Sequence, residues 1–316
     1  MNQRRKISIL LISLVILIAL FIVPGLKPNN YIYLLSRRIP KVIAILITAG
    51  SIALSSTVFQ TVTNNRILTP SVLGLDSLYM LIQTIIIFML GSSNVVVVNK
   101  NLNFLITVAM MLIFSNVLYR FLFRDEGHDI MNILLLGIIA GTLFQSLSSF
   151  MQMMIDPNEF LHVQDKMFAS FNNINTNILI LASLSVAGSI IYIYKTKEVL
   201  DVFLLGRAQA INLGVDYEKM VKKLLIVVSV LVSVSTALVG PITFLGLLAV
   251  NLAGEFLDTF KHKYLFITSA LMASIALVGG QFAVERLFNF STPISVIINF
   301  AGGIYFIYLL VKENLG

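Results

Sequence analysis

The sequence has no cysteine among its 316 residues, which excludes disulfides and thiolate metal sites. It has no tryptophan either, so any aromatic belt at a membrane interface falls to tyrosine and phenylalanine. Charge is scarce: Asp, Glu, Lys and Arg make up 12% of the chain, about half the usual share of a soluble domain. With 58% hydrophobic residues, too little polar surface remains to keep the chain in water. Recognisable catalytic patterns are missing too. No GxxxxGK[ST] loop occurs, so the chain does not bind ATP in the usual way. There is no HExxH pair and no Gly-x-Ser-x-Gly elbow. His128, His162 and His262 lie far apart and read as solvated loop histidines, with no catalytic or metal-ligating role.

What the sequence does have is a succession of apolar runs. A helix needs about 20 mostly apolar residues to cross the hydrocarbon. Spans are predicted near 7–24, 40–63, 72–90, 103–122, 132–155, 177–194, 222–238, 243–257, 264–282 and 294–311, the eighth being short. The expectation is an all-α polytopic membrane protein of about ten helices, one transmembrane domain over 1–316, in the cell membrane. The basic head Met1–Lys6 resembles the start of a signal peptide. The apolar run that follows exceeds a usual h-region and no small-residue cleavage site comes after it, so it reads as a retained first helix.

Orientation follows from the basic residues. With the N-terminus inside, fifteen Lys and Arg fall on the cytoplasmic side and seven outside, the bias expected for N-in/C-in. The same bias accounts for the net charge of +7 without nucleic acid. Four of the seven outer cations crowd into Lys27–Lys41, against that rule. They fit interfacial snorkelling beside Tyr31 and Tyr33, or a docking patch for an acidic extracellular partner.

The longest polar cytoplasmic stretch is Lys195–Lys223. Within it Leu204, Leu205, Ala208, Ile211 and Leu213 recur at roughly helical spacing, predicting a short amphipathic helix flanked by Gly206 and Gly214 and lying outside the bilayer. Its apolar stripe suits a lipid surface or a partner's groove. A further pattern is internal. Pro70-Ser-Val-Leu73-Gly74-Leu75 after span two is echoed by Pro241-Ile-Thr-Phe-Leu245-Gly246-Leu247 after span seven. Those spans run in opposite directions, so the echo predicts inverted-repeat halves with broken helices at matching places. Asp76 and Glu255 are the carboxylates nearest membrane depth. Both sit near predicted span ends and read as solvated. So few buried acids argue against proton- or sodium-coupled transport and for energy supplied by another subunit.

The segments Arg38-Ile-Pro-Lys41, Ala49-Gly50 to Gln60 and Asn65-Arg66-Ile-Leu-Thr-Pro70-Ser-Val-Leu-Gly74 resemble the opening signature of FecCD-type permeases. Leu205-Gly206-Arg-Ala208, Leu213-Gly214-Val-Asp-Tyr217, Gly240-Pro241-Ile-Thr-Phe244-Leu-Gly246-Leu247 and the closing Gly302-Gly303-Ile-Tyr305-Phe306 are similar as well. The matches are ordered from about residue 37 to 311. That family supplies the membrane subunits of type II ABC importers for ferric siderophores, haem and cobalamin. Val284-Glu-Arg-Leu-Phe-Asn-Phe290 looks like the subgroup serving catecholate siderophores in Gram-positive bacteria, whose permease usually pairs with a non-identical one. Departures are Val250-Asn251 where the family usually has Pro-His, and Phe168-Ala169-Ser170 where Gly-Ser is common.

The resemblance implies a non-enzymatic permease without its own cofactor or metal, with ATP and Mg on two cytosolic ABC ATPases. It implies a second permease, a paralogue or a copy of this chain, and an extracellular siderophore-binding lipoprotein. Gly206, Arg207, Ala208, Leu213 and Gly214 would shape the ATPase contact. Arg38 and Lys41, with Arg286 as a third position, would meet acidic residues of the binding protein. The gate and pathway would involve Gln60, Asn64, Asn65, Asp129 and Asn132. Ser55, Ser56, Gln60, Asn64 and Gln145 are plausible lining or simply interhelical hydrogen-bonders. A haem or cobalamin permease and an ATP-independent secondary transporter are the alternatives.

Overall fold

A computed structural model describes the backbone of all residues except 1–2, 29, 123–129, 173 and 315–316, and side chains except at these and at 121–122, 130–133 and 312–314. Its helices are α1 (Gln3–Ile22), α2 (Tyr31–Thr63), α3 (Leu75–Leu90), α4 (Val95–Val98), α5 (Lys100–Leu122), α6 (Ile130–Met154), α7 (Pro157–Met167), α8 (Thr176–Lys195), α9 (Lys197–Phe203), α10 (Arg207–Asn212), α11 (Tyr217–Val239), α12 (Leu245–Leu257), α13 (His262–Arg286) and α14 (Ile294–Asn314). No strand occurs among the described residues. Each of the ten predicted apolar runs coincides with a helix. Eight of these are long and apolar enough to cross a membrane; α3 and α12 are shorter.

The helices form because every backbone N–H and C=O in hydrocarbon must be satisfied within its own segment. The hydroxyls follow the same logic. Ser51, Thr57, Thr61 and Thr63 in α2 each donate to the carbonyl four residues back. The most enclosed span is α2, packed against α11, α12 and α13. The outermost is α1, which packs against α13. Polar clasps tie the bundle where apolar packing alone lacks direction: Gln83 to Asn103 and Thr107, Thr84 to Ser148, and Tyr119 to Ser229. In bilayers such bonds contribute about 0.6 kcal/mol each on average.

The repeated motif sits at two helix interruptions. After α2 the chain turns through a 3-10 turn, Pro70–Leu73, and Gly74 at φ +77°. After α11 it turns at Gly240, φ +100°. Each interruption is closed by glycine from another helix. A Cβ on Gly137 or Gly141 of α6 would lie 2.9 Å from Leu73 Cα or 3.0 Å from Gly74 Cα. Gly302 of α14 abuts the Phe244 side chain in the same manner. The Gly137-x-x-x-Gly141 spacing is a membrane helix-packing motif, here accepting a turn instead of a helix.

Candidate functional site

One end of the bundle, here the lower end, gathers the C-termini of α2, α12 and α14 with the N-terminus of α13. A cavity of about 860 Å³ opens there, lined by Thr57, Gln60, Thr61, Asn64, Asn65, Arg66, Asn251, Glu255, Asp258, His262 and Leu204, among others. It therefore gathers three of the predicted pathway residues. Gln60 is buried, with its Nε2 unpartnered among the described residues. Asn64 ends α2 in a left-handed conformation at φ 48°. The Asn65 side chain accepts the Ile67 N–H at 2.9 Å, shaping the following turn. Asn251 donates to the Arg66 carbonyl at 3.0 Å and so holds this turn to α12. Asp129 and the Asn132 side chain lie outside the described residues.

Ser55 and Ser56 are fully buried, and Ser56 packs directly on Gly246. They line a separate enclosed space of about 20 Å³ between the two helix interruptions, room for about one water. Asp76 faces it. Its Oδ1 accepts the Thr236 hydroxyl at 3.5 Å, Ser71 and Thr243 line the same space, and Oδ2 is buried with no partner among the described residues. The expectation of a solvated Asp76 is thus overturned. The broken helix draws the first turn of α3 into the protein, where the helix N-terminus favours a carboxylate. Glu255 is exposed, as expected. Gln145 is exposed on α6, clear of the large cavity.

His262 also departs from expectation. It is fully buried at the start of α13, with Nδ1 2.6 Å from Asp201 Oδ1 and Nε2 2.7 Å from Thr61 Oγ1. The sequence offered only a lone histidine between lysines. Its partners lie 61 and 201 positions away.

Below this end, α9 and α10 form a compact pair. Gly206 at φ +94° turns between them, and Gly214 at φ +85° turns into α11, so both glycines supply conformations costly for other residues. Ala210 is buried, and Phe203 stacks on Tyr217 with ring centroids 4.6 Å apart. Arg207 pairs with Glu218 at 3.2 Å. Leu204, Leu205, Ile211 and Leu213 are left exposed, with Ala208 exposed among them.

At the upper end, Arg38 donates to the carbonyls of Ile22 and Pro24, and Arg286 donates to that of Pro24 at 3.4 Å. Arg38 thus satisfies the last carbonyl of α1, and both arginines hold the turn that follows it. Lys41 pairs with Glu285, which Gln281 also contacts at 2.9 Å. Lys41, Arg37 and Lys100 line a second cavity of about 590 Å³ beside Phe171 and Phe290. Nearby, burial pushes the Lys166 ammonium below the ordinary lysine value, and Lys100 adds to the effect.

Relatives agree with this architecture. The chain is 61% identical over 314 residues to the petrobactin import system permease YclO of Bacillus subtilis, covering 99% of each. It is 33% identical to the petrobactin import system permease FatC of Bacillus anthracis, over 99% of this chain and 91% of the other. An inward-facing metal-chelate type ABC transporter shares the fold, with a TM-score of 0.82 at 20% identity over 98% of this chain and 100% of the other. The FecCD transport family profile matches residues 6–312. The chain belongs to the FecCD transport family.

Proposed function

We infer that this chain is the membrane-spanning permease of an ATP-driven importer that carries a ferric siderophore into the cytoplasm, ferric petrobactin being the first candidate. The observation that carries this reading is full-length identity of 61% to a petrobactin import permease. The chain works in the cell membrane as one domain of ten spans, with the lower end cytoplasmic. Fifteen basic residues on that side against seven on the other support the orientation. Transport asks no covalent chemistry and no cofactor of this chain; ATP and Mg act on two cytosolic ATPases. The exposed leucines of α9–α10 fit a groove on an ATPase, with Gly206, Arg207, Ala208, Leu213 and Gly214 setting the shape. The lower cavity is the cytoplasmic mouth of the pathway, with Gln60, Asn64 and Asn65 in its lining. A second permease, a paralogue or a copy, completes the pathway. Purification of the tagged chain from mild detergent, followed by mass spectrometry, tests this. A P-loop ATPase and a second permease are expected in the eluate; recovery of the chain alone after crosslinking would refute the assignment.

Docking of an extracellular binding lipoprotein falls to the upper basic surface of Arg38, Lys41 and Arg286, with Arg37 beside them. Lys41→Glu is expected to lower stability by about 1–3 kcal/mol, the range for a lost hydrogen bond to a charged group. The exchange Lys41→Glu with Glu285→Lys restores the melting temperature and leaves binding-protein capture weak, because the cation has moved. Restored capture in the exchanged protein would remove Lys41 from the docking surface.

A further inference from the structure

The coupling segment and the cytoplasmic mouth are joined by a polar link that neither role requires. Asp201 sits on α9, one turn before the exposed leucines. Its Oδ1 accepts two hydrogen bonds from His262: the backbone N–H at 2.9 Å and the ring Nδ1–H at 2.6 Å. The carboxylate therefore caps α13 from another element, where Lys261 gives no side-chain cap. Donation from Nδ1 leaves Nε2 of a neutral ring as an acceptor. Thr61 Oγ1 lies 2.7 Å from it in the last turn of α2, its one proton divided between this nitrogen and the Thr57 carbonyl at 2.9 Å. Thr61 follows Gln60 and precedes Asn64 at the cavity rim.

No slack exists along this line. The imidazole has no exposed surface, and the Phe266 ring packs against it at 5.5 Å between centroids. A single carboxylate oxygen holds two atoms of one residue, so α9 cannot shift without turning the ring or breaking both bonds. Nor can the ring turn without losing Thr61. By contrast, α10 is held by exposed contacts such as Arg207 to Glu218, with half the Arg207 side chain in solvent.

We propose that Asp201, His262 and Thr61 form a strut that transmits displacement of α9–α10 to the cytoplasmic end of α2 and so opens the cavity mouth. This rests on the assignment of α9–α10 as the ATPase contact. Asp201 lies outside the cavity lining, so its effect reports transmission and not contact with the transported chelate, whereas Thr61 and His262 also line the cavity.

The test uses the complete importer in proteoliposomes, with radiolabelled ferric petrobactin as the probe. Uptake and ATP hydrolysis are measured together for wild type, Asp201→Asn, Thr61→Val and the double variant. The expected result is retained ATPase association and hydrolysis, with uptake per ATP lowered about tenfold, the factor for one charge-assisted bond. The double variant is expected to be no worse than the worse single one, as for members of one linkage. Uptake per ATP within twofold of wild type in Thr61→Val overturns the strut, as does strict additivity. If Asp201→Asn fails to assemble, Thr61→Val decides, since it removes one hydroxyl and leaves the α13 cap in place. A Gly/Ser linker across 206–214 separates the two readings. ATP-driven uptake surviving that linker sinks the coupling assignment, whereas its loss beside normal coupling in Thr61→Val sinks the strut alone.

Discussion

Gly74→Ala is expected to destabilise the protein by about 2–5 kcal/mol, from a left-handed backbone without glycine and overpacking of the adjoining turn. The residue has φ +77°, and its added methyl would lie 2.9 Å from the Cα and N of Gly141 and 3.0 Å from the carbonyl of Gly137. These are backbone atoms of α6, which no rotamer change can move. The 3-10 turn would have to lift away from α6, opening the first helix interruption. Set against a total stability of about 5–15 kcal/mol, the melting temperature should fall by roughly 5–10 °C. Differential scanning fluorimetry in detergent measures this. Gly50→Ala is the control, because a Cβ there meets nothing within 4 Å; equal melting temperatures for the two variants would refute the close approach.

The second large effect concerns the segment 206–214. Replacing it with a Gly/Ser linker removes the exposed Leu213 and Ile211, the buried Ala210 anchor and the Arg207–Glu218 pair together. Copurifying ATPase should fall at least to about a tenth. The exposed apolar patch has no stabilising role within the chain, so only the loss of the buried Ala210 anchor and the Arg207–Glu218 pair should lower the melting temperature. A linker variant that keeps its ATPase would move the contact elsewhere. A milder probe is Leu213→Asp, which leaves both glycine turns intact and places a carboxylate in the contact.

The apolar runs made the helices legible because lipid enforces a length and a composition on each span. Even the two short helices were legible, through the repeated Pro-to-Gly motif that marks their breaks. The α10 helix between Gly206 and Gly214 was legible for the same reason: two glycines bracket an apolar stripe. The pairings were not. Lys41 finds Glu285 at a separation of 244 positions, and His262 finds Asp201 and Thr61 on two other helices. A single sequence carries no signal for such meetings. Asp76 was misread because its helix starts inside the protein, a consequence of the break and not of the local sequence. Nor did the sequence signal that Arg38 and Arg286 share the Pro24 carbonyl just after α1. The Gly137-x-x-x-Gly141 spacing stood in the sequence unread, and spacing alone does not reveal that its partner is a turn.

The central claim is that this chain moves a ferric siderophore only when ATP is hydrolysed by partner subunits. The most direct measurement is uptake of radiolabelled ferric petrobactin into proteoliposomes holding the chain with its copurified partners, with binding protein supplied outside. Uptake is predicted to require enclosed ATP, to stop when the ATPase is omitted, and to persist against excess haem or cobalamin. Uptake by the chain without ATPase or ATP would contradict the account and make the protein a secondary transporter.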